Sequence, residues 1–130
     1  MRVLIDTHAL LWHIEGSSKL SKQARELIDS DSNSLFFSIV SLWEIAIKLG
    51  LNKLVLENSF SELDGLLADL EIEVLPISFS DTEQYLSLPL HHRDPFDRML
   101  IAQAITHSLT IVSADKVFEA YPVVRLWNDL

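Results

Sequence analysis

Short runs of consecutive apolar residues alternate along the chain with longer segments whose apolar positions recur at helical spacing. Runs such as residues 3–5 and 109–112 are typical of strands buried on both faces of a parallel sheet. The predicted strands are residues 3–5, 35–37, 71–75, 109–112 and 123–127. The predicted helices are residues 9–14, 21–28, 38–49, 59–70, 81–86 and 95–107. This alternation predicts an α/β fold, a three-layer α/β/α sandwich with a mostly parallel central sheet.

Length and composition add limits on the class of protein. A chain of 130 residues, 48% apolar and 22% charged, predicts one globular domain over residues 1–130. The absence of cysteine excludes disulfides, thiol catalysis and cysteine-based zinc sites. No apolar run approaches the ~20 residues of a membrane helix. Asp6 and His8 interrupt the apolar start of the chain, so we expect a cytoplasmic protein with neither a signal peptide nor a membrane contact.

Two predicted strands lead into an acid. Asp6 directly follows the strand at residues 3–5, and Asp115 follows the strand at residues 109–112 after two residues. Ligands of open α/β sheets bind beyond the carboxyl ends of the strands. Taken singly, each acid is explained by a helix cap or a turn.

Glu44 lies in a predicted helix that is apolar almost all round. One narrow polar stripe remains, formed by Ser41, Glu44 and Lys48. The stripe is either a solvated face with a weak Glu44–Lys48 pair, or the wall of a polar cleft. Because the rest of the helix is so apolar, we expect it to be covered on most sides.

Asp94 and Asp97 open the predicted helix at residues 95–107. Asp94 suits the N-cap, Pro95 the first helical position and Asp97 the third, so helix capping explains much of this pattern. Two acids are one more than capping needs. Asp97 also shares a helix face with Ile101 and Ala104, which points it inward, towards the sheet edge.

The acids have a joint explanation as a metal site. Clustered carboxylates repel one another, and a hard divalent cation removes that conflict. Oxygen ligands without cysteine or a His-x3-His pair favour Mg²⁺ or Mn²⁺ over Zn²⁺. The chemistry that such sites support is metal-assisted cleavage of phosphodiester bonds.

Four segments together resemble the PIN-domain ribonucleases, and among them the VapC toxins of toxin–antitoxin pairs. They are LIDTHALLW, SIVSLWEIAIKLG, LPLHHRDPFDRMLIAQA and LTIVSAD, in the family's order and spanning nearly the whole chain. The resemblance implies a magnesium-dependent endoribonuclease whose catalytic acids are Asp6, Glu44, Asp97 and Asp115. It assigns metal binding to Asp6, Asp97 and Asp115, and assigns to Glu44 the orientation or deprotonation of the attacking water.

The resemblance also implies a supporting set of residues and three partners. Asp94 matches an additional acid of the family, and the positions that match supporting hydroxyl groups are Thr7, Ser41 and Ser113. The candidate phosphate contacts, all within four residues of a site acid, are Arg93, Arg98, Lys48 and Lys116. The expected partners are an RNA substrate, a second copy in a homodimer and a VapB-type antitoxin that blocks the cleft.

The net charge of −9 argues at first against an RNA-binding protein. Residues 54–92, however, contain eight acids and no lysine or arginine, so the rest of the chain carries only −1. A cation among the four site acids makes the remainder net positive. The charge therefore predicts RNA binding that depends strongly on Mg²⁺.

Other functions are also compatible with the sequence. A metal-free ribonuclease could use the histidines His8, His13, His91, His92 and His107. A phosphoacceptor receiver domain could use Asp6 with Lys116, although Asp6 lacks the adjacent acid that receivers need. Trp12 and Trp43 could belong to a non-enzymatic interaction module or to the core. A PIN-type nuclease that processes RNA without an antitoxin is a further alternative.

Overall fold

The computed structural model describes residues 1–128, in which five parallel strands form one sheet. The strands are β1 (Arg2–Ile5), β2 (Ser34–Ser38), β3 (Ile72–Leu75), β4 (Thr110–Val112) and β5 (Arg125–Leu126). The helices are α1 (Thr7–Glu15), α2 (Lys22–Asp29), α3 (Ile39–Gly50), α4 (Leu63–Asp69), α5 (Phe79–Ser87) and α6 (Pro95–His107). Two 3₁₀ turns cover Phe60–Glu62 and Lys116–Ala120. This confirms the predicted α/β/α sandwich.

The strand order β3-β2-β1-β4-β5 puts β1 at the centre of the sheet. Leu4 pairs with Phe36 of β2 on one side and with Ile111 of β4 on the other. Val3 and Ile5 contribute to the core under α1, α2 and α4, whereas Leu4 contributes to the core under α6. Both sheet faces are covered, which explains why β1 is apolar at every core position.

The order in which strands are added to the sheet reverses at β1, because β2 and β3 lie on one side of it and β4 and β5 on the other, although all five strands are parallel. The carboxyl ends of β1 and β4 are therefore neighbours at a topological switch point, with Ile5 paired to Val112. A crevice opens at such a point because the two connections leave it in opposite directions.

A polar network built on the buried side chains of Ser38, Asp81 and Gln103 joins α3, α5 and α6. Gln103 Oε1 accepts from Ser38 Oγ at 2.6 Å, and Gln103 Nε2 donates to Pro76 O at 3.1 Å and to Asp81 Oδ2 at 3.3 Å. Asp81 also accepts from Ser78 N at 2.9 Å in a capping box that begins α5. Since Ser38 caps α3, the network fixes α6 against the start of α3.

Most predicted boundaries differ from the structure by one or two residues, and three differences change the type, the end or the length of an element. The helix predicted at residues 59–70 begins as a 3₁₀ turn, because the Ser59 hydroxyl bonds Glu62 and makes no backbone cap. Gly50 is the last residue of α3 rather than the residue after it, and Asn52 takes the left-handed conformation with φ 56°. The strand predicted at residues 123–127 pairs only at Arg125–Leu126.

No helix within residues 1–128 is long and apolar enough to cross a membrane.

Substitution Gln103→Met tests the buried network. Methionine keeps the length of the side chain but removes its hydrogen bonds, which leaves the Ser38 hydroxyl and part of Asp81 unsatisfied. We expect urea unfolding to show a loss of about 1–3 kcal/mol in the free energy of unfolding. The control Gln84→Met, on the exposed side of α5, should change it by less than about 0.5 kcal/mol. Equal effects of the two substitutions would contradict a special role for the network.

Candidate active site

Asp6 lies at the carboxyl end of β1 and is the first acid of the site along the chain. Its backbone N–H donates to Val112 O of β4 at 3.0 Å, and its side chain caps α1. Asp6 Oδ1 accepts from Thr7 N at 2.7 Å, and Asp6 Oδ2 accepts from Ser113 Oγ at 2.7 Å. Both carboxylate oxygens are thus oriented by neighbours that belong to the two central strand ends.

Glu44 faces the same edge of the sheet from α3. Its Oε1 accepts from Thr7 Oγ1 at 2.9 Å, so Thr7 bridges Asp6 and Glu44 through its backbone and its hydroxyl. Its Oε2 pairs with Lys48 Nζ at 3.2 Å. The predicted Glu44–Lys48 pair is therefore present, and it lies in a cleft instead of on an open helix face.

Asp94 and Asp97 come from the start of α6. Asp94 Oδ1 accepts from Phe96 N at 2.9 Å and from Asp97 N at 3.2 Å, as an N-cap does. The Asp97 side chain is free of that role and is mostly buried towards the sheet edge. Asp115 follows β4, where its backbone N–H donates to Ser113 Oγ at 3.0 Å and its side chain caps the Lys116–Ala120 turn.

A cavity of about 390 Å³ joins these side chains. The predicted site residues that line it are Asp6, Glu44, Lys48, Asp94, Asp97 and Asp115. Thr7 and Ser113 are buried and hydrogen bond to Glu44 and Asp6, whereas the Ser41 hydroxyl is buried without a hydrogen-bond partner among residues 1–128. All four predicted catalytic acids therefore meet in one cleft at the switch point of the sheet.

His8 and Trp12 also line the cavity and had not been assigned to it from the sequence. Their rings lie 5.8 Å apart on one face of α1, and Trp12 is 5.9 Å from Trp127. Their spacing of four residues, in a helix that begins directly after Asp6, is the signal that could have placed them there.

Burial and mutual repulsion disfavour negative charge in the cleft. The pKa of the Asp97 carboxyl is raised from its ordinary 3.8 to about 7. Burial is the largest cause, followed by the charges of Asp94, Asp6, Asp115 and Glu44. Burial also raises the pKa of Asp6, although the hydrogen bond from Ser113 opposes it.

The donors of the cleft suit a hard divalent cation. All the acids offer oxygen, and a cation would relieve the repulsion that raises the pKa of Asp97. Within residues 1–128, no three acidic or imidazole groups approach closely enough to form a ready-made metal cage. Mg²⁺ does not require one, since it keeps several waters and commonly binds one or two carboxylates together with substrate phosphate.

The four basic residues predicted to contact phosphate have different positions. Lys48 lines the cleft, whereas Arg93 and Lys116 are exposed and are not part of its wall. Arg98 is only 6% exposed, and its guanidinium donates to backbone carbonyls and to Tyr121. Arg98 is therefore not positioned to contact phosphate in the cleft. It follows Asp97 in sequence but projects from another side of α6.

Most of the histidines have partners that explain them without catalysis. His13 pairs with Asp29 at 2.8 Å, and His107 pairs with the buried Asp81 at 2.9 Å. His91 packs edge-on against Tyr121, with ring centroids 5.0 Å apart. Only His8 lines the cleft, and His92 lies behind Asp97. The positions of these side chains give little support to a metal-free histidine mechanism.

Comparison with known proteins identifies the family. A model of the PIN domain matches residues 3–124, so the chain belongs to the PIN domain family, whose members are nucleases that generally use a divalent metal. A search of curated proteins finds no significant match. Family membership, with a cleft of four acids, leaves the phosphoacceptor receiver without support.

Solved structures of low sequence identity share the fold. A chain from VapBC2 of Rickettsia felis, bound to a DNA fragment from its promoter, is 20% identical with a TM-score of 0.73, covering 98% of this chain and 100% of that chain. A chain of VapBC-1 from nontypeable Haemophilus influenzae is 14% identical with a TM-score of 0.68, covering 97% of each chain. The PIN domain endonuclease Utp24 is 14% identical with a TM-score of 0.53, covering 98% of this chain and 86% of that chain.

The substitution Asp97→Asn tests whether burial and neighbouring negative charges make an ionised Asp97 destabilise the folded protein. Because the folded pKa of about 7 exceeds the ordinary 3.8, the folded wild type binds more protons than its unfolded state between these values. Its stability without metal should therefore fall as pH rises from about 4 to 7. At about pH 8 in EDTA, thermal or urea unfolding should show the variant to be more stable than wild type by about 1–4 kcal/mol.

The same comparison at about pH 4 is the control, since the Asp97 carboxyl is then largely protonated in the folded protein. The advantage of Asp97→Asn should disappear there. A variant that is equally destabilised at both pH values would show that Asp97 is not strained by burial and neighbouring charge.

Proposed function

We propose that this protein is a metal-dependent endoribonuclease, acting as the VapC-type toxin of a toxin–antitoxin pair. The observation that carries the proposal is the meeting of Asp6, Glu44, Asp97 and Asp115 in one cleft at the switch point of a PIN fold. Similarity to chains from two VapBC complexes supports the toxin assignment.

The residues that would hold Mg²⁺ or Mn²⁺, directly or through water, are Asp6, Asp97 and Asp115. When bound, the cation supplies positive charge that polarises the scissile phosphate and lowers the pKa of the attacking water. Thr7 and Ser113 keep both oxygens of Asp6 in place through their 2.7 Å hydrogen bonds. Such orientation of metal-binding carboxylates by neighbours strengthens binding.

Glu44 is the base in this proposal. Thr7 and Lys48 each engage one of its oxygens, which fixes the carboxylate at the cleft and leaves lone pairs free. Glu44 accepts a proton from water as the water oxygen attacks phosphorus. The bond from phosphorus to the 3′ oxygen breaks, and that oxygen takes a proton from solvent. The products carry 5′-phosphate and 3′-hydroxyl ends.

The cleft wall has features that suit RNA as the substrate. The His8 and Trp12 rings offer apolar surface beside the acids, and aromatic rings stack with unpaired bases. Lys48 adds one positive charge at the cleft. Residues 54–92 contain eight acids and no lysine or arginine, so this part of the surface disfavours RNA and favours binding at the cleft.

An exposed apolar surface supports the predicted homodimer and antitoxin. Trp43 on the outer side of α3 is 61% exposed and contacts Phe96 edge-on at 5.4 Å. Next to it lies an apolar cavity of about 240 Å³ between α3, α5 and α6. Within residues 1–128, the expectation that α3 is covered on most sides is thus not met at Trp43, and a partner that binds there would bury the exposed side of the helix.

Asp6→Asn tests the nuclease proposal. The amide removes one negative charge at the cleft but keeps the size of the side chain, so we expect cleavage to fall at least about 100-fold. Sequencing of RNA 5′ ends after induced expression should reveal new 5′-phosphate ends with wild type only. Purified wild type should lose its activity in EDTA and regain it with Mg²⁺.

The control is Asp29→Asn, which removes an exposed acid that does not line the cleft and should leave cleavage intact. Normal cleavage by Asp6→Asn, or wild-type activity that survives EDTA, would overturn the proposal. Cleavage confined to RNA maturation sites, with no inhibitory partner, would favour the RNA-processing alternative.

Trp43→Arg tests whether the apolar surface binds a second copy. A charged side chain at the centre of an apolar contact should weaken self-association by at least about 10-fold, measured as mass by light scattering across a dilution series. Val55→Arg, at another exposed apolar residue, is the matched control and should associate like wild type. Unchanged association of Trp43→Arg would place the dimer contact elsewhere.

A further inference from the structure

Arg98 lies beneath the loop that leads into α6 and uses its hydrogen-bond donors there. Its Nη1, which carries two hydrogens, donates to Pro89 O at 3.0 Å and shares its other hydrogen between Tyr121 Oη at 3.4 Å and His92 O at 3.5 Å, and its Nη2 donates to Leu88 O at 3.5 Å. These hydrogen bonds connect the loop before α6 with the end of the 3₁₀ turn that follows β4. This role accounts for a motif residue that does not reach the cleft.

The contact with Tyr121 has a fixed direction, because a guanidinium donates and never accepts. The Tyr121 oxygen therefore accepts from Arg98. Its single proton can point to His92 Nδ1, which lies 2.8 Å away. When Nδ1 of a neutral imidazole accepts a hydrogen bond, the ring proton is on Nε2.

His92 Nε2 is buried and has no hydrogen-bond partner within residues 1–128. Asp97 Oδ2 lies 3.8 Å from it. A buried N–H without an acceptor is costly, so a small rotation that brings Nε2–H onto the Asp97 carboxylate is favourable. The neighbouring ring of Tyr121, 5.4 Å from the His92 ring, limits other orientations.

We propose that Arg98, Tyr121 and His92 form a directional hydrogen-bond relay that presents the Nε2–H of His92 to Asp97. His92 is then a positioning residue of the metal site: it holds one carboxylate oxygen of Asp97 and leaves the other for the cation. The role of Asp97 rests on the proposed function, whereas the tautomer of His92 does not depend on it.

The tautomer is measured by nitrogen NMR of the metal-free protein, labelled at histidine, at about pH 8, where an ordinary histidine is neutral. Wild type should show the protonated nitrogen of His92 at Nε2. Tyr121→Phe keeps the ring but removes the hydroxyl, so its His92 signal should shift to a mixture of tautomers. The matched control Tyr85→Phe removes a hydroxyl from the ring 5.0 Å from Arg98 and should leave the tautomer unchanged.

Mn²⁺ affinity is the second readout, followed by titration calorimetry of the same variants. Tyr121→Phe and His92→Phe should each weaken binding by about 10-fold, the loss expected when a carboxylate ligand loses its orienting partner. The double variant should be no worse than either single variant, because both interrupt one relay. Melting temperatures distinguish this loss from unfolding, and Tyr85→Phe should bind like wild type.

A proton on Nδ1 of His92 in wild type would overturn the relay. So would a tautomer and an Mn²⁺ affinity that are unchanged by Tyr121→Phe, or additive losses in the double variant. Failure of the proposed function is a separate result: Mn²⁺ binding that Asp97→Asn leaves intact would remove the metal site, while the NMR measurement still decides whether the relay exists.

Discussion

Repulsion among carboxylates at one edge of the sheet is the constraint on which this structure depends. Asp6 and Asp115 follow neighbouring strands, Glu44 projects from α3 and Asp97 from α6, and all four line one cavity. Burial and the surrounding charges raise the pKa of Asp97 to about 7. Folding brings these groups together against their repulsion, so the remaining contacts of the site have to hold them in place.

Two sets of hydrogen bonds hold the acids in place. Hydroxyl and backbone donors of Thr7 and Ser113 orient Asp6 directly, and Thr7 extends the set to Glu44. Further from the cleft, Gln103 fixes the start of α3 to α6, the two helices that carry Glu44 and Asp97. The core on both faces of the sheet provides the rigid frame that makes such positioning effective.

The sequence was sufficient to predict the sheet, the bounds of α6 and the four acids. The sequence predicts that Asp6 and Asp115 lie close together, because the carboxyl ends of parallel strands share one edge of the sheet. It indicates that Glu44 faces the same cleft, because the stripe that contains Glu44 is the only polar one on an apolar helix. Arg98 could not be placed, since adjacency to Asp97 does not fix the side of a helix on which a residue projects. Trp43 could belong either to the core or to an interaction surface on sequence grounds, and its side chain is 61% exposed within residues 1–128.

A crystal structure of the protein grown with Mn²⁺ would show whether the four acids form a cation site. Anomalous scattering locates the ion without assumptions about its ligands. We expect an anomalous peak in the cleft, within direct or water-mediated reach of Asp6 and Asp97, that is lost in Asp6→Asn. A fully bound Mn²⁺ at another position, or an empty cleft at saturating Mn²⁺, would contradict it.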